Sequence, residues 1–593
     1  MKLSKLFALP CLLTAMAAFT GVAHATPATY QIKVLTVGSS AQYGVFAEAA
    51  YQLATSDGQA KHYTLKGGTN AWVNDTRTHG TTTVPNEFGN LWVVWSETTG
   101  NIWAFLSVDS TVGVRAFQAA PRASLGVVAL ASLPVSTTTN LFVWDDGSND
   151  TALTTGAYTA LASQKFTAAN TDIRPEDALF ATRRALAALN TTDYSGLGYG
   201  TAATQLVGTA IQGQVTSGSK ATPVNFELSF STDSFAGTDP FTGTAVPAFV
   251  TIPVGAAPIV FIANKTDASG LGASTITNIT TAQALKLFSG AECDASVVGG
   301  SSSVAVFPFL REALSGTMNT TEFSVFRPSP FTTSQEQGVN PSALNSNPLN
   351  LNCTTGTGKR QRAIGTGDSV KGVNNQADGI GYAFFSYEAL NAKNAANGGN
   401  IVNSSTNAVQ VKYLTLDSID PLGNSGTIPL CGSATSSSFS CAPATPSSTF
   451  STLRGGTYKA WSEYRVITDS TGQTNAQALV TKADFVADHT LPDFVPFAAS
   501  CGVTASKDEP GLSVYREHFT ISNSSTTSPA YGIAPSGANN GSIPATVTCS
   551  GRSLVGRTIG GATERGGDVG GTIVFTAAGA TPVNTIETTP VHY

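Results

Sequence analysis

Strand–loop–helix steps recur along this sequence and limit the fold more than any other feature. Residues 30–37 alternate and are rich in Ile, Val and Leu, which predicts a strand that ends at Gly38. Residues 42–53 follow with apolar side chains at helical spacing. The run 258–263 is entirely apolar, as is typical of a buried parallel strand. These features predict an α/β protein in which ligands bind at the loops that follow the strands.

The same alternation continues further along the chain. For the helix predicted at 282–288, Thr280 or Thr281 is expected to cap the start and Gly290 to end it. Further strands are predicted at 103–108 and at 304–309, and another begins at 379–382. Further helices are predicted at 318–326 and at 475–487, and another begins within 112–117.

The first 25 residues have the pattern of a secretory signal peptide. Lys2 and Lys5 precede an apolar stretch at 6–19, and Ala23-His24-Ala25 is a small-x-small cleavage signal. A retained N-terminal anchor is the alternative, but polar residues follow at once. Cys11 lies inside the apolar stretch rather than after the cleavage site, so no lipid anchor is expected. We therefore expect a periplasmic or secreted protein.

Charge and cysteine content fit export. The net charge of −6 becomes −8 once Lys2 and Lys5 are removed, which argues against nucleic acid as a partner. Of seven cysteines, six remain in the mature chain, an even number that suggests disulfides. Proximity along the chain favours the pairs Cys293–Cys353, Cys431–Cys441 and Cys501–Cys549. Their spacing does not match a metal site, and no cofactor is expected.

The mature chain is too long for one compact core, so two or more lobes are expected. After about residue 425 it is rich in Ser, Thr and Gly, which predicts a β- and loop-rich region. The expected organisation is a signal peptide at 1–25, lobe 1 at 26–262 with β-hairpin insertions near 60–106 and 120–165, lobe 2 at 263–394, and a return to lobe 1 with a disulfide-containing extension at 395–593.

Three predicted loops place hydroxyl groups at helix starts. They contain Ser39 and Ser40, then Ser110 and Thr111, then residues 315–317. The first N–H groups of a helix lack partners and the dipole is positive there, so such loops suit an anion. Arg311 precedes the third loop by four residues, and its guanidinium can bind an oxyanion through two parallel hydrogen bonds. Together the loops predict an oxyanion site.

These loops resemble those of the phosphate-specific periplasmic binding proteins of bacterial ABC transporters. Residues 38–43 stand where that family has roughly G-A-G-A-T-F, and residues 109–113 are similar to its G-S-S-G-G. Thr171 and Asp172 match a short S-D or T-D step, and residues 311–317 reproduce R-x-x-x-S-G-T. Gln42, Tyr43 and Val112 replace the family's Thr, Phe and Gly, and a long insertion separates the first two loops.

The resemblance implies a two-lobed, type II binding-protein fold with β-rich insertions. It also implies that Asp172 accepts a hydrogen bond from a protonated phosphate oxygen and repels sulfate, which has no such proton. The expected partners are phosphate or a similar oxyanion and a membrane ABC transporter, and the protein is expected to be a monomer. The ligand-binding residues that it implies are Gln42, Tyr43, Ser110, Thr111, Asp172, Arg311, Ser315, Gly316 and Thr317.

Two rival functions are weighed against this one. An enzyme is not expected, because the histidines are scattered and neither H-E-x-x-H nor G-x-S-x-G occurs. An exported surface or adhesion protein on a binding-protein scaffold is the alternative. Its support is the large β-rich decoration and the long C-terminal region rich in Ser, Thr and Gly. The tryptophans of the decoration could also form a carbohydrate platform, although core packing in a β-hairpin is the simpler interpretation. The tryptophans concerned are Trp72, Trp92, Trp95 and Trp103.

Overall fold

A computed structural model of the protein describes its main sheet and the helices around it. The described residues are 27, 29–65, 76–79, 82–85, 90–118, 122–127, 130–133, 151–162, 164–173, 226–229, 249–311, 315–321, 325–326, 353–363, 365–386, 410–423, 450–454, 458–489, 491, 493–496, 514–516, 546–549, 552–555, 572–574 and 583–584. The predicted signal peptide lies outside them. In the described part of the chain, no helix has the length and apolar character to cross a membrane.

Most strands belong to one large sheet. In chain order the strands are β1 (Gln31–Ser39), β2 (Ala60–Leu65), β3 (Thr76–His79), β4 (Thr82–Pro85), β5 (Asn90–Ser96), β6 (Asn101–Val108), β7 (Ser124–Val127), β8 (Ala168–Thr171), β9 (Phe226–Ser229), β10 (Val250–Asn264), β11 (Asn278–Ile279), β12 (Phe307–Arg311), β13 (Gln361–Ala363), β14 (Gly379–Phe384), β15 (Val411–Leu416), β16 (Trp461–Thr468), β17 (Val495–Pro496), β18 (Val514–Arg516), β19 (Thr546–Cys549), β20 (Arg552–Val555), β21 (Thr572–Val574) and β22 (Val583–Asn584).

The α-helices lie between these strands in the sequence. They are α1 (Tyr43–Ser56), α2 (Ser110–Gln118), α3 (Thr155–Leu161), α4 (Thr281–Ser289), α5 (Gly316–Thr321), α6 (Gly365–Asn375), α7 (Ser451–Arg454) and α8 (Gln473–His489), with short 3₁₀ turns at Ser40–Gln42, Leu130–Ser132 and Ala295–Val298.

The large sheet has 13 strands and mixes parallel with antiparallel pairs. Its order is β13-β12-β14-β10-β16-β8-β1-β6-β5-β2, with β11, β15 and β17 joined at its sides. The predicted α/β class is confirmed. We call the part with β1, β2, β5, β6, β8 and β16 lobe 1, and the part with β12, β13, β14 and β15 lobe 2.

The long strand β10 belongs to both lobes. Its first half pairs with β16, and its second half pairs with β14 and β15, in every case antiparallel. The expectation of a parallel strand at 258–263 is therefore wrong. Ile259, Val260 and Phe261 are fully buried in the core, so the apolar run reflects burial on both faces of the sheet rather than the direction of its neighbours.

The parallel strands of each lobe end at a common edge. In lobe 1, β1 is parallel to β6 and β8, with Ser39 opposite Val108 and Gly38 opposite Asn170. In lobe 2, β12 is parallel to β13, with Arg311 opposite Ala363. Because the register is fixed, the residues that follow these strands emerge side by side.

The tryptophan-rich segment forms part of the large sheet. β2, β5 and β6 pair as neighbouring antiparallel strands that continue the sheet beyond β1. Trp92, Trp95 and Trp103 are buried in the cores on its two faces, and the Trp92 ring contacts Phe105 edge-on. The interpretation as core packing is confirmed for these three residues, whereas Trp72 lies outside the described residues.

Two local predictions in lobe 2 are confirmed. Thr280 and Gln283 form a capping box at the start of α4, and Gly290 ends it in the left-handed conformation. Cys293 and Cys353 form a disulfide, which closes a loop that carries β12 and α5. The other two predicted disulfides involve cysteines outside the described residues.

Asp378 is a buried carboxyl in the turn that precedes β14. It accepts a hydrogen bond from the backbone N–H of Leu271 at 2.7 Å. Burial and the neighbouring carboxyl of Asp267 raise the pKa of Asp378 from 3.8 to about 6. The folded protein therefore favours the protonated carboxylic acid at this position.

We predict that this carboxyl makes the protein less stable as the pH rises from about 4 to 6. A raised folded-state pKa contributes stability below the unfolded-state pKa, and that contribution is lost as the pH passes the folded-state value. The change in the free energy of unfolding should be on the order of 1–2 kcal/mol after allowance for solvent screening. Urea denaturation at both pH values measures it. Asp378→Asn should remove this part of the pH dependence, and an identical pH profile in the variant would contradict the assignment.

Candidate functional site

Three loops of lobe 1 meet at the carboxyl ends of its parallel strands. Ser40 follows β1, Asp109 follows β6 and Asp172 follows β8. The register places the ends of these strands next to one another. The helix α2 begins at Ser110, so its free N–H groups lie beside the same loops.

Lobe 2 contributes two further loops. Arg311 is the last residue of β12, and Ser315 and Gly316 lead into α5. Gly365 begins α6 directly after β13, whose last residue lies opposite Arg311. Both loops therefore start from the same edge of lobe 2. Arg311, Ser315, Thr317 and Thr366 are all buried.

Glycines allow the loops of the two lobes to come into contact. A Cβ atom on Gly316 would overlap the carboxylate of Asp172 and would lie 2.8 Å from the Ser110 hydroxyl. Within lobe 1, a Cβ on Gly113 would lie 2.5 Å from the Cα of Gly38. Only residues without side chains permit such approaches, so α5 faces the Asp172 loop directly across the lobe boundary.

Arg311 is the central cation of this arrangement and is 2% exposed. Its Nη1 donates to the hydroxyls of Thr317 at 3.3 Å and Thr366 at 3.2 Å. Its Nη2 lies 3.4 Å from Oδ1 of Asp109, which belongs to lobe 1. Buried guanidinium groups need such partners, and here the partners come from both lobes.

A second polar contact crosses between the lobes. The hydroxyls of Ser40 and Thr366 lie 3.0 Å apart, and the backbone N–H of Thr366 donates to the Ser40 hydroxyl at 3.3 Å. Since Thr366 also accepts from Arg311, hydrogen bonds run from Ser40 through Thr366 to the guanidinium. The structure therefore has the lobes in contact around Arg311.

Asp172 is a buried carboxylate in the lobe 1 loop that Gly316 approaches. Its Oδ1 accepts a hydrogen bond from the Ser110 hydroxyl, and its backbone carbonyl accepts one from Ser462. Burial, together with the nearby charges of Asp172 and Asp493, raises the pKa of Tyr464 well above its ordinary value. Tyr464 is therefore neutral at physiological pH.

Most of the predicted residues lie together, with different local roles. Ser110, Asp172, Arg311, Gly316 and Thr317 form the contacts described above. Among the described residues, no hydrogen-bond partner is found for the buried Thr111 hydroxyl. The Ser315 hydroxyl accepts from the backbone N–H of Met318 at 3.3 Å and so caps α5.

Gln42 and Tyr43 are engaged within lobe 1. The Gln42 side chain donates to the Thr171 carbonyl at 2.9 Å and accepts from Asn170 at 2.9 Å. It therefore fixes the start of α1 against β8. Tyr43 is buried in the lobe 1 core with its ring 5.8 Å from that of Phe105. The structure thus gives both residues packing roles beside the site.

Asp109, Ser40 and Thr366 were not predicted as site residues. Asp109 and Ser40 lie in two of the loops that the sequence predicts for the site, close to the predicted residues Ser110 and Gln42. Thr366 lies in the segment 365–368, which resembles the glycine-rich step that follows R-x-x-x-S-G-T in the phosphate-specific family, and its hydroxyl between two glycines is the signal that points to it. In the part of the chain that the structure describes, no group of three or more His, Cys, Asp or Glu residues could hold a metal ion.

Solved structures provide the comparison with known proteins. A phosphate-binding protein from Stenotrophomonas maltophilia shares 13% identity, with 76% of this chain and 83% of that chain covered and a TM-score of 0.30. A high affinity periplasmic phosphate-binding protein bound with phosphate shares 12% identity. The alignment covers 81% of this chain and 96% of that chain, with a TM-score of 0.30. An ABC-type phosphate transport receptor from Vibrio cholerae shares 13% sequence identity. The alignment covers 41% of this chain and 73% of that chain, with a TM-score of 0.24.

No protein-family model and no curated protein matches the sequence. At these TM-scores the structural likeness carries no argument about the ligand.

We predict that Gly316→Ala separates the lobes. The added methyl group would overlap the Asp172 carboxylate, so α5 could not approach lobe 1. Small-angle X-ray scattering should show a larger radius of gyration than for the unsubstituted protein. Asp172→Ala in the same chain removes the obstructing carboxylate and should reverse much of the expansion. An unchanged radius of gyration in Gly316→Ala would contradict the close approach.

Proposed function

We propose that the protein is an exported solute-binding protein that captures phosphate, or a closely similar oxyanion, between its two lobes. The observation that carries this proposal is the buried guanidinium of Arg311, which lies where loops of both lobes meet. A buried cation with hydroxyl groups around it is the arrangement that an oxyanion needs.

Helix starts add to the positive potential at this place. The N-termini of α2 and α6 belong to opposite lobes, and both lie beside Arg311 through Asp109 and Thr366. The N–H groups in the first turn of a helix can bind an anion, and that of Thr366 donates to the Ser40 hydroxyl in this structure. The buried hydroxyls of Thr111 and Thr317 supply further donors for the ligand oxygens. The Ser110 hydroxyl donates to Asp172 in this structure, so it would donate to a ligand oxygen only after leaving that carboxylate.

The two lobes provide a mechanism of capture without covalent chemistry. Contacts across the boundary, such as that between Ser40 and Thr366, form when the lobes close. Closure removes water and strengthens the interaction of the anion with Arg311. Opening would release the anion, and a membrane transporter of the ABC type is the proposed recipient. This makes the protein a carrier rather than an enzyme.

The alternative role as a surface or adhesion protein has less support. Its structural argument was a platform of exposed tryptophans, and Trp92, Trp95 and Trp103 are buried in the sheet cores. Their rings are therefore not available to a carbohydrate.

The direct test is calorimetric titration of phosphate into protein that has been unfolded and refolded to remove bound ligand. We expect saturable binding with one phosphate per chain. Arg311→Ala should weaken it by about 100-fold or more, because the anion would lose its buried counter-charge. Arg122→Ala, which removes a guanidinium paired with Asp469 at 2.8 Å, is the matched control and should bind normally. Absence of binding by the unsubstituted protein would overturn the proposal.

Asp172 should decide between phosphate and sulfate. Its carboxylate can accept a hydrogen bond from a protonated phosphate oxygen, whereas sulfate brings no proton. In Asp172→Asn the ratio of the phosphate and sulfate dissociation constants should therefore approach one. The same titrations measure this ratio, and an unchanged preference for phosphate would remove Asp172 from the proposed role.

A further inference from the structure

The proposed site contains two buried carboxylates and one guanidinium. Asp109 directly precedes α2, and its side chain is 6% exposed, against 2% for Arg311. The other carboxylate, Asp172, accepts a hydrogen bond from the Ser110 hydroxyl. An incoming anion would therefore meet more negative than positive charge among these three side chains.

The contact between Asp109 and Arg311 uses the same group that would hold the ligand. Oδ1 of Asp109 lies 3.4 Å from Nη2 of the arginine, while the hydroxyls of Thr317 and Thr366 are bound to Nη1. The carboxylate thus contacts a different nitrogen of the guanidinium from the one that the two hydroxyls contact. A ligand oxygen that bound Nη2 would have to share it with Asp109.

We infer that Asp109 is a specificity-determining residue that competes with the ligand for Arg311 and so disfavours fully ionised dianions. This inference rests on the proposed function. A doubly charged ligand is repelled by both carboxylates and receives less of the arginine's charge. A singly charged, proton-bearing oxyanion is repelled less and can donate a hydrogen bond from its O–H group to a carboxylate.

A purely structural role for Asp109 has a different consequence. If the ion pair served to hold the lobes together, its removal would lower stability and weaken every ligand. If Asp109 competes with the ligand, its removal leaves Arg311 buried without its counter-charge, which lowers the stability of the ligand-free protein. The ligand would then supply the missing charge, so affinity would rise as stability falls.

Asp109→Asn in the full chain tests the inference, with phosphate and sulfate as the titrated anions. We expect sulfate binding to strengthen by about tenfold or more and phosphate binding by a smaller factor, so that selectivity falls. The melting temperature of the ligand-free variant should decrease. Asp109→Ser, which also removes the charge, gives a second variant if the first does not fold.

The matched control is Asp469→Asn, which breaks the pair between Arg122 and Asp469. Asp469 follows β16 at the end where Thr468 pairs with Ala168, which places it five strand positions, or about 17 Å, from Asp172. It should lower the melting temperature and leave both dissociation constants unchanged.

Sulfate binding that stays equal or weakens in both Asp109 variants would overturn the inference while leaving phosphate capture intact. If the unsubstituted protein bound neither phosphate nor sulfate, the proposed function itself would fail. The behaviour of the unsubstituted chain therefore separates the two.

Discussion

Burying a guanidinium group is costly unless acceptors surround it, and Arg311 is buried where the two lobes meet. Its acceptors are Thr317 and Thr366 from lobe 2 and Asp109 from lobe 1. The position of the lobes and the stability of this cation therefore depend on each other. Any anion that enters must replace or supplement these partners, which couples binding to the closure of the lobes.

The topology of the sheet brings the residues around Arg311 together. Parallel strands in each lobe end in register, so that Ser40, Asp109 and Asp172 emerge together in lobe 1. β10 runs from one lobe into the other and keeps both edges within one sheet. Gly316 then allows the helix start of α5 to reach the lobe 1 carboxylate. Positive helix ends, small residues and one cation are thereby brought to one place.

The features that could be predicted are those that depend on residues close to one another in the sequence. The cap, body and end of α4 lie within eleven residues from Thr280 to Gly290, and the structure has them as expected. Arg311, Ser315, Gly316 and Thr317 also form one short motif.

The direction of β10 could not be predicted, because apolar residues report burial and not the orientation of partners such as β14 and β16 that follow much later in the chain. The pairing of Arg311 with Asp109 spans 202 residues, and the contact with Thr366 spans 55. No local pattern contains either contact.

The central claim is that Arg311 holds an oxyanion between the lobes. A crystal structure of the full chain grown with phosphate tests it most directly. The account predicts tetrahedral density within hydrogen-bond distance of the Arg311 guanidinium and beside the helix starts of α2 and α6. Density for phosphate elsewhere, with the guanidinium still in contact with Asp109, Thr317 and Thr366, would contradict it.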